Sequence, residues 1–127
     1  MTLRFGGLVV SENNIKNQEA FGYLIDAPSA FMFGAELYPS VWLKAAIYMH
    51  SIICGHIFFD GNKRTALESA LLFLEKNNVV LNHNVTSQEL INFAVGVASN
   101  CEMSLESIAE WLKQNSSSIG FISINYL

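Results

Sequence analysis

The run from Val41 to Ile53 limits this chain more than any other feature. Val41, Leu43, Ala45, Ala46, Ile47, Met49, Ile52 and Ile53 crowd it so densely that no single stripe holds them all. A helix apolar around most of its circumference has to be covered on most of its sides. Ser40 supplies a side-chain oxygen suited to an N-cap, and Gly55 ends the run. The expectation is a central helix wrapped by others. The interval free of Asp, Glu, Lys and Arg, Ala45 to Phe59, is shorter than the ~18 to 20 residues of a membrane span and is broken by His50, Gly55 and His56, so a transmembrane helix is not expected. With 127 residues the chain fits one domain over 1–127. At 51% hydrophobic and 14% charged it is too apolar for disorder, and enough apolar matter is left over for a face covered by a partner or a second copy.

Local signals predict the elements around that helix. From Asn13 or Asn14 to about Asp26, Ile15, Ala20, Leu24 and Ile25 make a loose helical pattern halted by Pro28. Ser29 to Tyr38, rich in Phe, Gly and Ala, reads as an extended hairpin or flap leading into Pro39. Lys63 opens a second periodic run, with Leu67, Ala70, Leu71 and Leu74 on one face, which Asn77 and Asn78 stop. Val79 to Leu81 reads as briefly extended. Thr86 and Glu89 form a capping box for a helix through about Ser99, and Ser104 to Gln114 carries Leu105, Ile108, Ala109 and Leu112 on one stripe. Asn115 and three serines precede an uncharged apolar tail, Ile119 to Leu127, which reads as a strand or a partner-binding arm. The fold class is all-α with a small β-hairpin flap.

Several function classes drop out on composition. A formal net charge of −4 with seven basic residues argues against a surface that tracks long nucleic acid. Cys54 and Cys101 lie in apolar surroundings without C-x-x-C or His/Cys ligand spacing, which predicts reduced buried thiols rather than a disulfide or zinc. Met1 to Val10 has no long apolar run ending in a cleavage site, so the expected location is the cytoplasm.

The chemistry concentrates in Gly55 to Thr65. This loop holds His56, Lys63, Arg64 and Asp60, one of two aspartates in the chain. Phosphoryl transfer needs a base for the attacking hydroxyl, a carboxylate for a divalent metal, and cations or backbone amides for phosphate oxygens. All three kinds are present. Gly61 lets backbone come close to a phosphate, and the helix starting near Asn62 aims its unpaired N–H groups and positive dipole end at the same place. Lys63 and Arg64 point about 100° apart on a helix, suiting two phosphates or one phosphate and one acidic neighbour. A Walker P-loop does not fit, because Asn62 stands between Gly61 and Lys63 and no strand precedes.

Residues 56–64 resemble the Fic/Doc signature H-x-F-x-[D/E]-G-N-[G/K]-R, with His56, Phe58, Asp60, Gly61, Asn62, Lys63 and Arg64 in register. The similarity extends over roughly residues 34–81, with a weaker echo from Gly6 to Pro28, and is of the Doc (death-on-curing) kind. The resemblance implies a Fic/Doc-type helical bundle in which His56 is the general base, Asp60 holds Mg2+, and Gly61, Asn62, Lys63 and Arg64 cradle the phosphates of ATP, Arg64 among the catalytic groups. Two departures separate the chain from adenylyltransferases of the family: Lys63 in place of a second glycine, and Leu67 in place of a second arginine. Resemblance to Doc therefore implies a kinase-type toxin transferring the γ-phosphate to a hydroxyl of a translation factor, elongation factor Tu, and neutralised in trans by a Phd-type antitoxin. The flap, about Phe31 to Tyr38, would lay target backbone beside the loop.

Plainer readings stand beside these. Asp60 can serve as a helix cap, Lys63 and Arg64 as a solvated helix start, and Phe58 or Phe59 as the buried pin that steadies the loop. His50, His83, Trp42 and Trp111 read as structural. Two rival functions remain at this point, adenylyl transfer with the same base and a non-enzymatic helical interaction module.

Overall fold

The computed structural model describes residues 2–5 and 8–119. Among them five helices form: α1 Gln18–Asp26, α2 Val41–Cys54, α3 Asn62–Lys76, α4 Ser87–Ser99 and α5 Leu105–Gln114. Three small antiparallel sheets of two strands each accompany them: β1 (Thr2–Phe5) with β2 (Leu8–Ser11), β3 (Phe31–Met32) with β4 (Ala35–Glu36), and β5 (Val79–Leu81) with β6 (Ser116–Ser118). This is a helical bundle with a small hairpin flap, as the sequence leads one to expect.

α2 is the hub. Ala45, Ala46, Ile47, Tyr48, Met49, Ile52 and Ile53 are all buried on it, and α1, α3, α4 and α5 all pack against it. Alanines explain how so many helices gather: Ala45 and Ala46 on α2, with Ala66 and Ala70 on α3, are completely buried and let the two backbones approach. Larger side chains fill the space around them, including Leu24 from α1, Leu74 from α3, Val97 from α4, and Ile108 and Leu112 from α5. The caps fall where the hydroxyls sit. Ser40, Thr86 and Ser104 each accept a hydrogen bond from the backbone N–H three residues on, at Leu43, Glu89 and Ser107.

One polar group in this core has no partner. Ser69 on α3 is fully buried, and its Oγ makes no hydrogen bond among the described residues. A buried hydroxyl left unpaired costs stability, and Ala is also the better helix former. Ser69→Ala is therefore expected to raise the unfolding free energy by about 1 kcal/mol, read as a higher urea midpoint at constant slope.

Two expectations need correction, and two stretches left unassigned in sequence form strands. The first helix does not begin at Asn13 or Asn14; Glu12–Asn14 is a 3-10 turn and α1 starts at Gln18 behind Asn17, whose side chain accepts from the Ala20 N–H. The reason is competition: Lys16 and Asn17 both donate their N–H to Ile57 O, at 2.7 and 3.0 Å, so the stretch pairs with the motif loop instead of coiling. The serines after Asn115 are a strand, with Val79, Val80 and Leu81 opposite Ser118, Ser117 and Ser116. Val79–Leu81 has an open edge to satisfy, and backbone pairing there overrides weak strand propensity. Residues 2–5 and 8–11, unassigned in sequence, pair as the antiparallel strands β1 and β2. Finally, Cys54 and Cys101 are joined in a disulfide, with Cα atoms 5.7 Å apart; packing of the α4–α5 turn on the end of α2 brings them within bridging distance. Of the apolar tail, only Ile119 lies inside the described residues, its N–H donating to Asn78 O at 2.9 Å; the rest of that expectation falls outside them.

Candidate active site

The loop between α2 and α3 is fixed by steric demands at both ends. A Cβ on Gly55 would collide with the backbone carbonyl oxygen of Ser51, so only glycine ends α2 this way. Gly61 has φ +77°, the left-handed region that glycine enters without penalty, and it is the N-cap residue of α3. Because Gly61 carries no side chain and no side-chain cap bond forms there, Asp60 is not the cap of α3.

Between the glycines, backbone and side-chain amides hold the loop. Phe58 is 1% exposed and sets its ring against Phe21 of α1, with centroids 6.3 Å apart, edge to face. Asn62 brackets the same residue: its Oδ1 accepts from Phe58 N–H at 2.9 Å and its Nδ2 donates to Phe58 O at 2.8 Å. Phe58 is thus the buried pin, while Phe59 is 67% exposed. On the other side, Asn17 Nδ2 donates to Gly55 O at 3.2 Å, Asn14 Nδ2 donates to Asp60 O at 3.0 Å, and Asn14 Oδ1 accepts from Asp60 N–H at 3.2 Å. An isolated antiparallel bridge pairs Ile15 with Phe58.

What this scaffold presents outward is the polar set. His56, Asp60, Lys63 and Arg64 are all exposed. His56 has φ +46°, uncommon for any residue with a Cβ. Among the described residues, no hydrogen bond or ion pair engages the His56 imidazole, the Asp60 carboxylate or the Lys63 ammonium, whereas Arg64 Nε lies 3.4 Å from Glu68 Oε1 one turn along α3. Of the two adjacent cations, then, one has an acidic neighbour and the other is free to meet a ligand. The side-chain amide of Asn62 is committed to Phe58, so its offering to an anion is the backbone N–H at the open first turn of α3. An apolar groove of about 430 Å³ runs between α3 and α4, lined among others by Lys63, Arg64, Leu67, Leu71, Ile91 and Val95; His56 and Asp60 do not line it.

The hairpin Phe31–Glu36 forms the flap. Its two-residue turn, Phe33 and Gly34, has positive φ at both positions, +53° and +79°, the geometry that suits the twist of a tight hairpin. Phe33 is completely exposed at the tip, and Phe31 and Met32 beside it are also exposed. Lys44 of α2 ties down the base: its Nζ donates to Tyr38 O at 2.6 Å, Pro28 O at 2.7 Å and Glu36 Oε1 at 3.1 Å. Glu36 therefore has its partner within the chain. The Tyr38 hydroxyl lies 3.2 Å from that of Tyr23; burial, then that bond, pushes it up to about 12, so it is neutral across the working pH range.

Asn14, Asn17 and Lys44 are the contributors that sequence reading missed. The only sequence signal of Asn14 and Asn17 is a cluster of asparagines before a helix, which reads equally well as a helix start, and Lys44 carries none.

The family model for the Fic/DOC family matches residues 2–74, a stretch that holds α1, the flap, α2, the loop and most of α3. The protein kinase doc of Escherichia phage P1 is 46% identical over 70 residues, covering 55% of this chain and 52% of that protein. The toxin Doc of Mycolicibacterium smegmatis is 35% identical over 80 residues, covering 63% of this chain and 58% of that protein. The chain spans a little over half the length of these curated relatives.

Proposed function

We propose that this chain, which belongs to the Fic/Doc family, is a Doc-type toxin: a protein kinase that moves the γ-phosphate of ATP to a Ser or Thr hydroxyl of a translation factor, elongation factor Tu by resemblance. The observation that carries the reading is the presence in one loop of an exposed imidazole at His56 and an exposed carboxylate at Asp60, neither engaged among the described residues, with Lys63 at the open N-terminus of α3. The names of the two relatives, a protein kinase and a toxin, support the same class.

In this mechanism His56 takes the proton from the target hydroxyl as its oxygen bonds to the γ-phosphorus, and the bond from that phosphorus to the bridging oxygen breaks to release ADP. An unengaged imidazole on a steadied loop suits that task. The Lys63 ammonium and the first-turn amides of α3 face the phosphate oxygens. Lys63 stands where the family's adenylyltransferases have glycine, and its bulk and charge favour presenting the outer phosphate. Asp60 fits Mg2+ arriving with ATP: its carboxylate is exposed, and Mg2+ commonly binds through one or two carboxylates plus substrate phosphates. Bound there, the ion would neutralise phosphate charge as the transfer proceeds.

A Phd-type antitoxin is the partner proposed in trans. Tyr23, Ile25, Phe31, Met32 and Phe33 are exposed apolar side chains that such a protein could cover. A target in the translation apparatus makes the cytoplasm the proposed location, and no helix among the described residues is long and apolar enough to cross a membrane.

Incubation with a cell extract and ATP labelled at either the α or the γ phosphate tests the chemistry. Label is expected on a protein band from the γ position alone. Label from the α position would replace this reading with adenylyl transfer, and label from neither would leave a binding module.

A further inference from the structure

We propose that Asn14 is a positioning residue for Asp60, fixing the direction in which its carboxylate meets the metal; this rests on the proposed role of Asp60. The Asp60 carboxylate makes no hydrogen bond or ion pair among the described residues, so its direction follows from its own backbone. One neighbour on that backbone, Gly61 at φ +77°, is the residue type least able to hold it, since glycine moves readily among backbone wells.

Asn14 supplies the missing restraint. Its side-chain amide satisfies both backbone groups of Asp60, donating from Nδ2 to Asp60 O at 3.0 Å and accepting at Oδ1 from Asp60 N–H at 3.2 Å. Its own carbonyl accepts from Phe59 N–H at 2.8 Å. Three hydrogen bonds from one residue thus span two consecutive residues of the loop, as a neighbouring strand would. Asn62 holds both backbone groups of Phe58, two residues earlier, with its own side-chain amide. The two clamps differ in what they hold: Asn62 fixes the buried pin, and Asn14 fixes the residue that points to solvent. Groups that orient a metal-binding carboxylate without touching the ion commonly change metal affinity by about ten- to a hundredfold when removed.

Asn17 is a natural comparator. It lies on the same segment and holds Gly55 O, and it also caps α1, but it does not touch Asp60. Mn2+, as a probe for Mg2+, is titrated into the full chain with a β,γ-imido ATP analogue present, and free Mn2+ is read by electron paramagnetic resonance. Exchange of the Asp60 amide hydrogen and the melting temperature are followed in the same samples. Asn14→Ala is expected to weaken Mn2+ binding about tenfold or more and to speed Asp60 amide exchange, while Asn17→Ala lowers the melting temperature yet holds Mn2+ within about twofold of the parent. Should Asn14→Ala fail to fold, Asn14→Gln carries the test, because the same amide set one methylene further out cannot make both bonds. Mn2+ binding in the Asn14 variants equal to the parent's overturns the proposal alone. A parent chain that holds no Mn2+ with the nucleotide overturns the functional reading, and this proposal with it.

Discussion

Replacing His56 with Gly is expected to abolish phosphotransfer and growth arrest while leaving the fold as stable as before. The two halves of that result have separate causes. A general base in the transition state is commonly worth about 10² to 10⁴ in rate, and among the described residues no other imidazole lies in the loop. Stability, by contrast, does not depend on this side chain, which is exposed and makes no hydrogen bond or ion pair among the described residues. His56 is held at φ +46°, where a Cβ costs about 1 kcal/mol or more. Glycine removes that strain but enlarges the freedom of the unfolded chain, at a cost of about 0.5 to 1 kcal/mol. The effects nearly cancel, so the unfolding free energy should stay within about 1 kcal/mol of the parent. His56→Asn is the companion variant, because asparagine tolerates left-handed backbone and cannot act as the base. Urea unfolding and transfer assays on the same preparations check both halves. A variant that still arrests growth sinks the catalytic role; one that loses several kcal/mol of stability makes His56 a structural residue.

The helical frame was legible because its signals are local. Ser40, Thr86 and Ser104 announce α2, α4 and α5, and the periodic apolar positions of Lys63 to Leu74 announce α3. The candidate site was legible for a different reason: its exposed polar groups lie in one short stretch, His56 to Arg64, so a linear pattern captures them together. What stayed hidden depends on residues far apart in sequence. Asn14 meets Asp60 across a separation of 46 positions, and the disulfide joins residues 47 apart. Neither amide nor thiol carries a local mark of its partner. β6 was hidden by propensity: Ser116–Ser118 has no strand signature, and only the open edge of β5 gives it one. The consequence for function is that sequence named the candidate groups and missed what holds them.

The largest effect on stability is expected from reducing the Cys54–Cys101 bond. Its two residues are separated by 47 positions, and closing a loop of that length removes enough freedom from the unfolded chain to be worth about 4 kcal/mol in the chain-entropy treatment. Against a typical total of about 5 to 15 kcal/mol for a domain, that is a large share. Cys101 is exposed and Cys54 half-buried, so a small dithiol reaches the bond without global unfolding. The urea midpoint should fall sharply in dithiothreitol, and the Cys54→Ser, Cys101→Ser double variant should show the reduced midpoint with or without the reductant. An unchanged midpoint would mean that the bond does not form in solution. Activity below the unfolding transition is a sharper question, since Cys54 is followed directly by Gly55 and His56. Its geometry does not depend on the disulfide: Asn17 holds Gly55 O, Ile57 O accepts from Lys16 and Asn17, and the Asn62 and Asn14 side chains fix Phe58 and Asp60. All of those anchors come from the segment before α1 or from α3, and none from the α4–α5 turn that the disulfide secures. Reduction is therefore expected to lower stability strongly and to leave the transfer rate of the folded fraction nearly unchanged. In a reducing environment this arrangement would make the protein's lifetime, rather than its turnover, the quantity that responds to thiol poise.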